Sequence, residues 1–167
     1  PLVMAHLLPL LTREQQSALL GPTHSWWVSD ECGDVVSVHR TGLTNATRQL
    51  ALTRHQIEAL DARLLPATLI SQINEVDTTL LANRDRCAQW CDVRARLQRA
   101  RSHGLLAPQD LSLFVILSLQ LPDDFDQVGP VARALVRAKA AGIGFSKAIE
   151  QVPVEEWREW DEVLDER

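Results

Sequence analysis

The chain has 167 residues, 46% of them apolar and 23% charged, with a formal net charge of −5 and a pI near 5.5. That length can bury a real core as one domain or one large lobe, the apolar content excludes a disordered chain, and the acidic balance argues against a general nucleic-acid binder. Three cysteines, an odd number, do not make the disulfide framework of a small secreted protein, so a reducing cytoplasm is the simpler expectation.

Residues 2–11 are dense in leucine and predict a short buried helix or turn interrupted by Pro9. Thr12 and Gln15 form a capping-box pattern that starts a helix ending at Gly21-Pro22. SWWVS (25–29) and VVSVHR (35–40) read as strands, with DECGD between them supplying the turn, so a β-hairpin is expected at about 25–40. Residues 41–52 read as a loop with a short extended piece. Thr53 and Gln56 repeat the capping-box pattern and open a helix with Ile57 and Leu60 inward. A further helix is expected from Leu64 to Leu81, entered at Pro66, with Leu69, Ile70, Ile73, Val76 and Leu80 at helical spacing. Arg84 to Ser102 follows as a helix ending at Gly104, packed by Trp90, Val93, Leu97 and Ala100.

The most apolar run is LLAPQDLSLFVILSLQL, residues 105–121. Its apolar side chains point all round a helix, which places it inside the protein. Pro108 suits the first helical position, Asp110 complements the dipole and Pro122 stops the helix. The alternation of Leu111, Leu113, Val115, Leu117, Leu119 and Leu121 also fits a strand, but length and the Pro108 entry favour helix. The run is short of the ~20 apolar residues needed to span a membrane. Next come a helix at Val131–Ala141 with Ala132, Leu135 and Val136 inward, a short one at Phe145–Gln151 with Phe145 and Ile149 buried, and a last one opened by Pro153 with Val154, Trp157, Trp160 (or Asp161) and Leu164 on its face. The expected fold is mainly α: five or six helices around a central helix at about 108–121, preceded by a small α/β section. The expected division is 1–52, the end of an N-terminal α/β lobe truncated at its start, and 53–167, a helical C-terminal lobe.

Chemistry is sparsely signalled. Cys87 and Cys91, four apart, share one helix face and offer two thiolates, with Cys32 and His103 as the only recruits for a metal site. No second paired spacing exists, and the alternative is that both are ordinary semi-buried residues; no metal, no cofactor and no catalytic residue is assigned. The histidines are scattered, no HExxH or G-x-S-x-G is present, and Gly142-Ile143-Gly144 lacks the rest of a phosphate loop. Arg84, Arg86, Arg94, Arg96, Arg99 and Arg101, less Asp85 and Asp92, give one helix a net +4 that spreads round it without a stripe. Residues 150–167 carry a net −6, so that segment is expected either to pack beside the arginine helix or to share a partner with it. Of five tryptophans, Trp26 and Trp27 must face opposite sides of a strand. Trp27, Trp157 and Trp160 are the candidates for a partner surface, because an exposed tryptophan anchors interfaces well.

The order of three segments carries a family resemblance. LTREQQSALLGPTHSWW matches the pattern L-[ST]-x-E-Q-R-x-A-L-[LF]-G-P plus a nearby Trp at Thr12, Glu14, Gln15, Ala18, Leu19, Gly21, Pro22 and Trp26. LTRHQIEALD matches L-T-x-x-Q-x-x-A-L-D at Leu52, Thr53, Gln56, Ala59, Leu60 and Asp61. ARSHGLLAPQDL matches A-x-x-x-G-[LI]-x-x-x-x-D-L at Ala100, Gly104, Leu105, Asp110 and Leu111. The chain thus resembles the effector chaperone (adaptor) domain of bacterial type VI secretion, domain of unknown function 4123, over about residues 1–121. Pro1-Leu2-Val3-Met4 falls on the family's P-R-V-L, with Leu2 in place of its Arg, so the chain is expected to be a piece of a longer domain. The resemblance implies a cytoplasmic, non-enzymatic protein that binds a toxic effector encoded nearby, keeps it soluble and helps mount it on the secretion spike protein. It implies no fixed catalytic residues, and the acidic charge and the short central apolar run lead to no nucleic-acid and no membrane partner being expected. Two other readings stay open: a toxin-neutralising immunity protein or other helical interaction domain, and an enzyme using a metal or cysteine at Cys87/Cys91.

Overall fold

The computed structural model describes residues 2–39 and 50–165, with side chains of α8 described up to 162. Its elements are α1 (Leu2–Leu7) running into a 3-10 turn (Leu8–Leu10), α2 (Arg13–Leu20), β1 (Ser25–Ser29), β2 (Val35–His39), α3 (Arg54–Val76), α4 (Arg86–Ser102), α5 (Pro108–Gln120), α6 (Gly129–Ala141), α7 (Phe145–Glu150) and α8 (Val154–Asp165). The protein is mainly α with one antiparallel hairpin near its start, as the sequence leads one to expect. Of the expected loop at 41–52, residues 41–49 lie outside the described residues, as do Arg40 at the end of the second expected strand and the side chain of Leu164.

Two compact units divide the chain. One comprises residues 1–76 and 81–91, the other residues 77–80 and 92–167. This is a different division from 52/53, because α3 packs on α1 and on the 3-10 turn and so belongs with the N-terminal elements.

In the first unit, Leu7, Leu8, Leu11 and Val28 form the buried centre, with Met4, Ala5, Leu19, Val38, Leu50, Leu52 and Leu60 packed around them. The hairpin is in register with Trp27 opposite Ser37 and Ser29 opposite Val35. Trp27 and Val35 therefore share the outer face, while Val28 and Val38 point to the core. Asp30 shapes the turn: its Oδ1 accepts hydrogen bonds from the amides of Cys32 and Asp34, both at 2.9 Å, and Gly33 takes the left-handed φ of 88° that closes it.

Where two helices were expected, α3 is one helix of 23 residues with Pro66 inside it. Proline removes one intrahelical donor, but Pro66 is buried, and Leu69 and Ile73 beyond it are buried too. Packing on both sides of the proline holds the helix through the defect. It ends at Val76, short of the expected Leu81, because Asp77 turns back on Thr79: its Oδ1 accepts from Thr79 N at 2.8 Å and Thr79 Oγ1 at 2.6 Å. Val76 is 88% exposed and Ile57 also faces outward, so neither is the core residue the spacing suggested.

The second unit is built on α5. The run is helical from Pro108 to Gln120 and not a strand, and no residue between Leu111 and Leu119 is exposed. Phe114, fully buried, meets the Phe125 ring at 5.0 Å and the Phe145 ring at 6.3 Å between centroids. Residues Val93, Leu97 and Ala100 of α4 are buried as their spacing predicts. On α6 the inward residues are Val131, Ala134, Leu135 and Ala138; Val136 is 70% exposed, one position off the buried stripe. On α7, Ala148 is buried with Phe145, and Ile149 is only partly covered. α8 packs on α6 through Trp160, whose indole lies over Gly129 so closely that a Cβ there would fall 2.6 Å from Cε2. Arg133 of α6 and Glu156 of α8 add an ion pair at 2.8 Å.

Candidate functional site

The residues that carry the three sequence patterns are occupied in holding the fold. Thr12 caps α2 and Gln15 closes the box, with Thr12 N donating to Gln15 Oε1 at 2.9 Å. Thr53 and Gln56 do the same for α3, with Thr53 N donating to Gln56 Oε1 at 2.9 Å and Gln56 N donating to Thr53 Oγ1 at 3.2 Å. The two boxes then lock together. Gln15 Nε2 donates to Gln56 Oε1 at 3.0 Å, and Gln56 Nε2 donates to Gln15 Oε1 at 2.6 Å. Their remaining amide hydrogens go to Ala51 O at 2.7 Å and Leu10 O at 2.8 Å. Both carboxamides use both of their N–H donors.

The third pattern is equally structural. Ala100, Leu105 and Leu111 are buried, and Gly104 takes a left-handed φ of 85° after α4, where Leu105 N donates back to Ala100 O at 3.3 Å. Asp110, at the start of α5, accepts a hydrogen bond from Ser146 N at 2.8 Å and so caps α7, whose own N-cap residue, Gly144, has no side chain to offer.

The three candidate tryptophans part company. Trp27 is 71% exposed on the outer face of the hairpin, the face it shares with Val35. Trp157 is half-buried, its ring 6.1 Å from that of Trp160. Trp160 is 7% exposed and is a packing residue between α8 and α6, because its indole fills the space over Gly129. Of the other two, Trp90 is buried and Trp26 half-buried. On the inner side of the hairpin, Val28, Val36 and Val38 line an apolar groove with Ala5, Leu8 and Pro9.

Two arginines of α4, Arg96 and Arg99, pair with carboxylates outside the C-terminal segment. Arg96 pairs with Asp92 at 3.1 Å, one turn earlier. Arg99 makes a two-armed contact with Asp126, whose Oδ2 also lies 2.6 Å from His103 Nε2. The Asp126 side chain is only 2% exposed. Burial pushes its carboxyl up, but the hydrogen bonds from Arg99 and His103 and the charges behind them together outweigh that and hold it below the usual carboxylate value. The Arg99 guanidinium is raised in turn, first by its hydrogen bond to Asp126. This cluster ties the end of α4 to the turn before α6, with Arg99 over the Phe125 ring at 5.4 Å.

The cysteines are the feature that composition alone misjudged. Cys32 and Cys87 are joined in a disulfide, and Cys91 is free and exposed. All three sulfurs lie within 4.8 Å of one another. The turn at Asp30 presents Cys32, while Asp85, accepting from Ala88 N at 2.7 Å, starts the helix that carries Cys87 and Cys91 on one face. His6 stacks on Trp90 at 5.1 Å, and its Nε2 is 3.4 Å from the Glu31 carboxylate, so the hairpin turn and the first turns of α4 share one set of neighbours. Of the two recruits suggested by sequence, Cys32 joins the pair; His103 is engaged with Asp126. No helix among the described residues is long and apolar enough to cross a membrane. Neither a known family model nor a curated protein nor a solved structure matches this chain.

Proposed function

We propose that the protein is an effector chaperone or adaptor of the type VI secretion kind, which binds a toxic effector in the bacterial cytoplasm, stabilises it and helps load it onto the secretion spike. The observation that carries this reading is the outer face of the hairpin, where Trp27 and Val35 stand exposed at diagonal positions on a frame fixed by the Asp30 turn. A large rigid aromatic beside a β-branched residue is the kind of anchor that concentrates binding energy at a protein interface. The apolar groove on the other side of the hairpin offers a second place for an apolar segment of a client. Support also comes from the patterned residues: Gln15, Gln56 and Asp110 serve the fold, as expected of a family with no catalytic residues to place.

Trp27 on the first unit and Trp157 on the second each remain a proposed partner contact, and Trp160, covered by its packing on Gly129, does not. The test is capture from the native cell with the protein as bait, followed by mass spectrometry. A toxin-like protein encoded nearby, with or without a spike protein, is the expected catch; Trp27→Ser should weaken it by about thirtyfold, the ~2 kcal/mol of a tryptophan anchor. An equal catch by Trp27→Ser would remove the hairpin face from the reading, and no effector at all would remove the reading itself. Capture of the toxin with full neutralisation of its activity and no spike would identify an immunity protein instead.

A further inference from the structure

We propose that Cys32, Cys87 and Cys91 form a zinc site when the Cys32–Cys87 disulfide is reduced, with water in the fourth position. Three sulfurs from two separate segments converge within 4.8 Å. Tetrahedral zinc with Zn–S bonds of about 2.3 Å sets its sulfurs about 3.8 Å apart. Cys91 already stands at that scale from the other two, and the bonded pair reaches it by separating through side-chain rotation. Cys32 and Cys91 are exposed and Cys87 is half-buried, so solvent metal reaches the sulfurs and the rotation meets little packing.

The position of Cys91 is the informative part. A disulfide needs two cysteines, and Cys91 adds nothing to the core because it faces solvent. Its i,i+4 relation to Cys87 on α4 gives the two thiolates a common face, and the Asp30 turn fixes the backbone of Cys32 opposite them. A trithiolate needs this arrangement; a disulfide does not.

Both states use the same atoms, so they exclude one another. Two equivalents of a small thiol, RSH, convert the Cys32–Cys87 bond into two cysteine thiols and release RSSR. Zinc then displaces one proton from each of the three thiols, and the zinc trithiolate carries a net charge of −1. Oxidation runs the other way: zinc leaves as the disulfide re-forms. In a cytosol poised by glutathione the metal-binding form is favoured, whereas an oxidising compartment leaves a disulfide beside a free thiol. The proposal does not depend on the adaptor reading.

The experiment uses the whole chain, reduced with dithiothreitol, desalted without oxygen and titrated with Zn²⁺ against a chromogenic chelator, with Co²⁺ as a spectroscopic probe. About one metal per reduced chain is expected, with thiolate-to-cobalt charge transfer and tetrahedral d–d bands, and none on the oxidised chain. Cys91→Ser keeps the Cys32–Cys87 pair for folding, checked by circular dichroism, and should lose at least about tenfold in affinity. Wild-type stoichiometry and affinity in Cys91→Ser would overturn the three-sulfur site, and so would a reduced wild type that binds no more zinc than the triple serine variant.

Discussion

Replacing Gln56 by alanine tests whether the paired capping boxes hold the first unit together. The change removes the acceptor for Thr53 N at the start of α3, the donor to Leu10 O and both contacts with Gln15. Loss of a cap interaction costs about 1 kcal/mol. Each buried group left without its partner adds about 1 kcal/mol or more, and Gln56 is buried, so water does not replace the lost bonds freely. The expected total is about 3 kcal/mol. Gln15→Ala removes the same two mutual bonds together with those to Thr12 N and Ala51 O, at a more exposed position, for about 2 kcal/mol. Because the mutual bonds are lost in either single variant, the double variant should cost less than both together, with a coupling of about 1–2 kcal/mol. Urea unfolding of the four proteins, followed by far-UV circular dichroism, supplies the cycle. Additivity within about 0.5 kcal/mol, or a Gln56→Ala protein as stable as the parent, would refute the locked-box account.

Gly129→Ala should be among the most damaging single-methyl additions: the residue has φ 78° and its new Cβ would strike the Trp160 indole. Roughly 1–2 kcal/mol for the backbone and a similar amount for the clash give about 3 kcal/mol, read as a melting temperature lower by several degrees; an unchanged melting temperature would mean that α8 does not sit on α6 this way. The depressed carboxyl of Asp126 makes a pH prediction. A group that binds its proton less readily when folded stabilises the fold above its unfolded pKa of about 3.9 and loses that contribution as pH falls through the lower folded value. Stability of the wild type should therefore fall more steeply than that of Asp126→Asn on going from pH 5 to strong acid, by urea unfolding at each pH, and parallel profiles would show that Asp126 contributes no such term.

The helices were legible because their start and stop chemistry is local. Thr12 with Gln15, Thr53 with Gln56, Pro108 with Pro122 and the glycines at 21, 104 and 142 mark boundaries within a few residues of themselves. Pro66 misled because a proline defect can be held by packing that lies far off in sequence, and Val136 and Val76 because a spacing rule cannot tell a stripe from its flank. The cysteine cluster was half visible: Cys87 and Cys91 share a helix face by spacing alone. That Cys32 closes on them depends on a turn 55 residues from Cys87, and an odd cysteine count gave no hint of a disulfide. Trp160 looked like Trp27 in composition, and only the glycine beneath it reveals which of them is covered.

The reliance of α7 on Asp110 bears on the order in which the second unit assembles. A helix of six residues is too short to persist alone in water, and one whose own cap is glycine begins with its first amides unclaimed. The carboxylate that claims one of them belongs to another helix, 36 residues earlier in the chain. Helical structure at 145–150 is therefore a product of docking and not a precursor to it: α5 has to be in place before the segment gains anything by coiling, and the pair should be won or lost as one cooperative step.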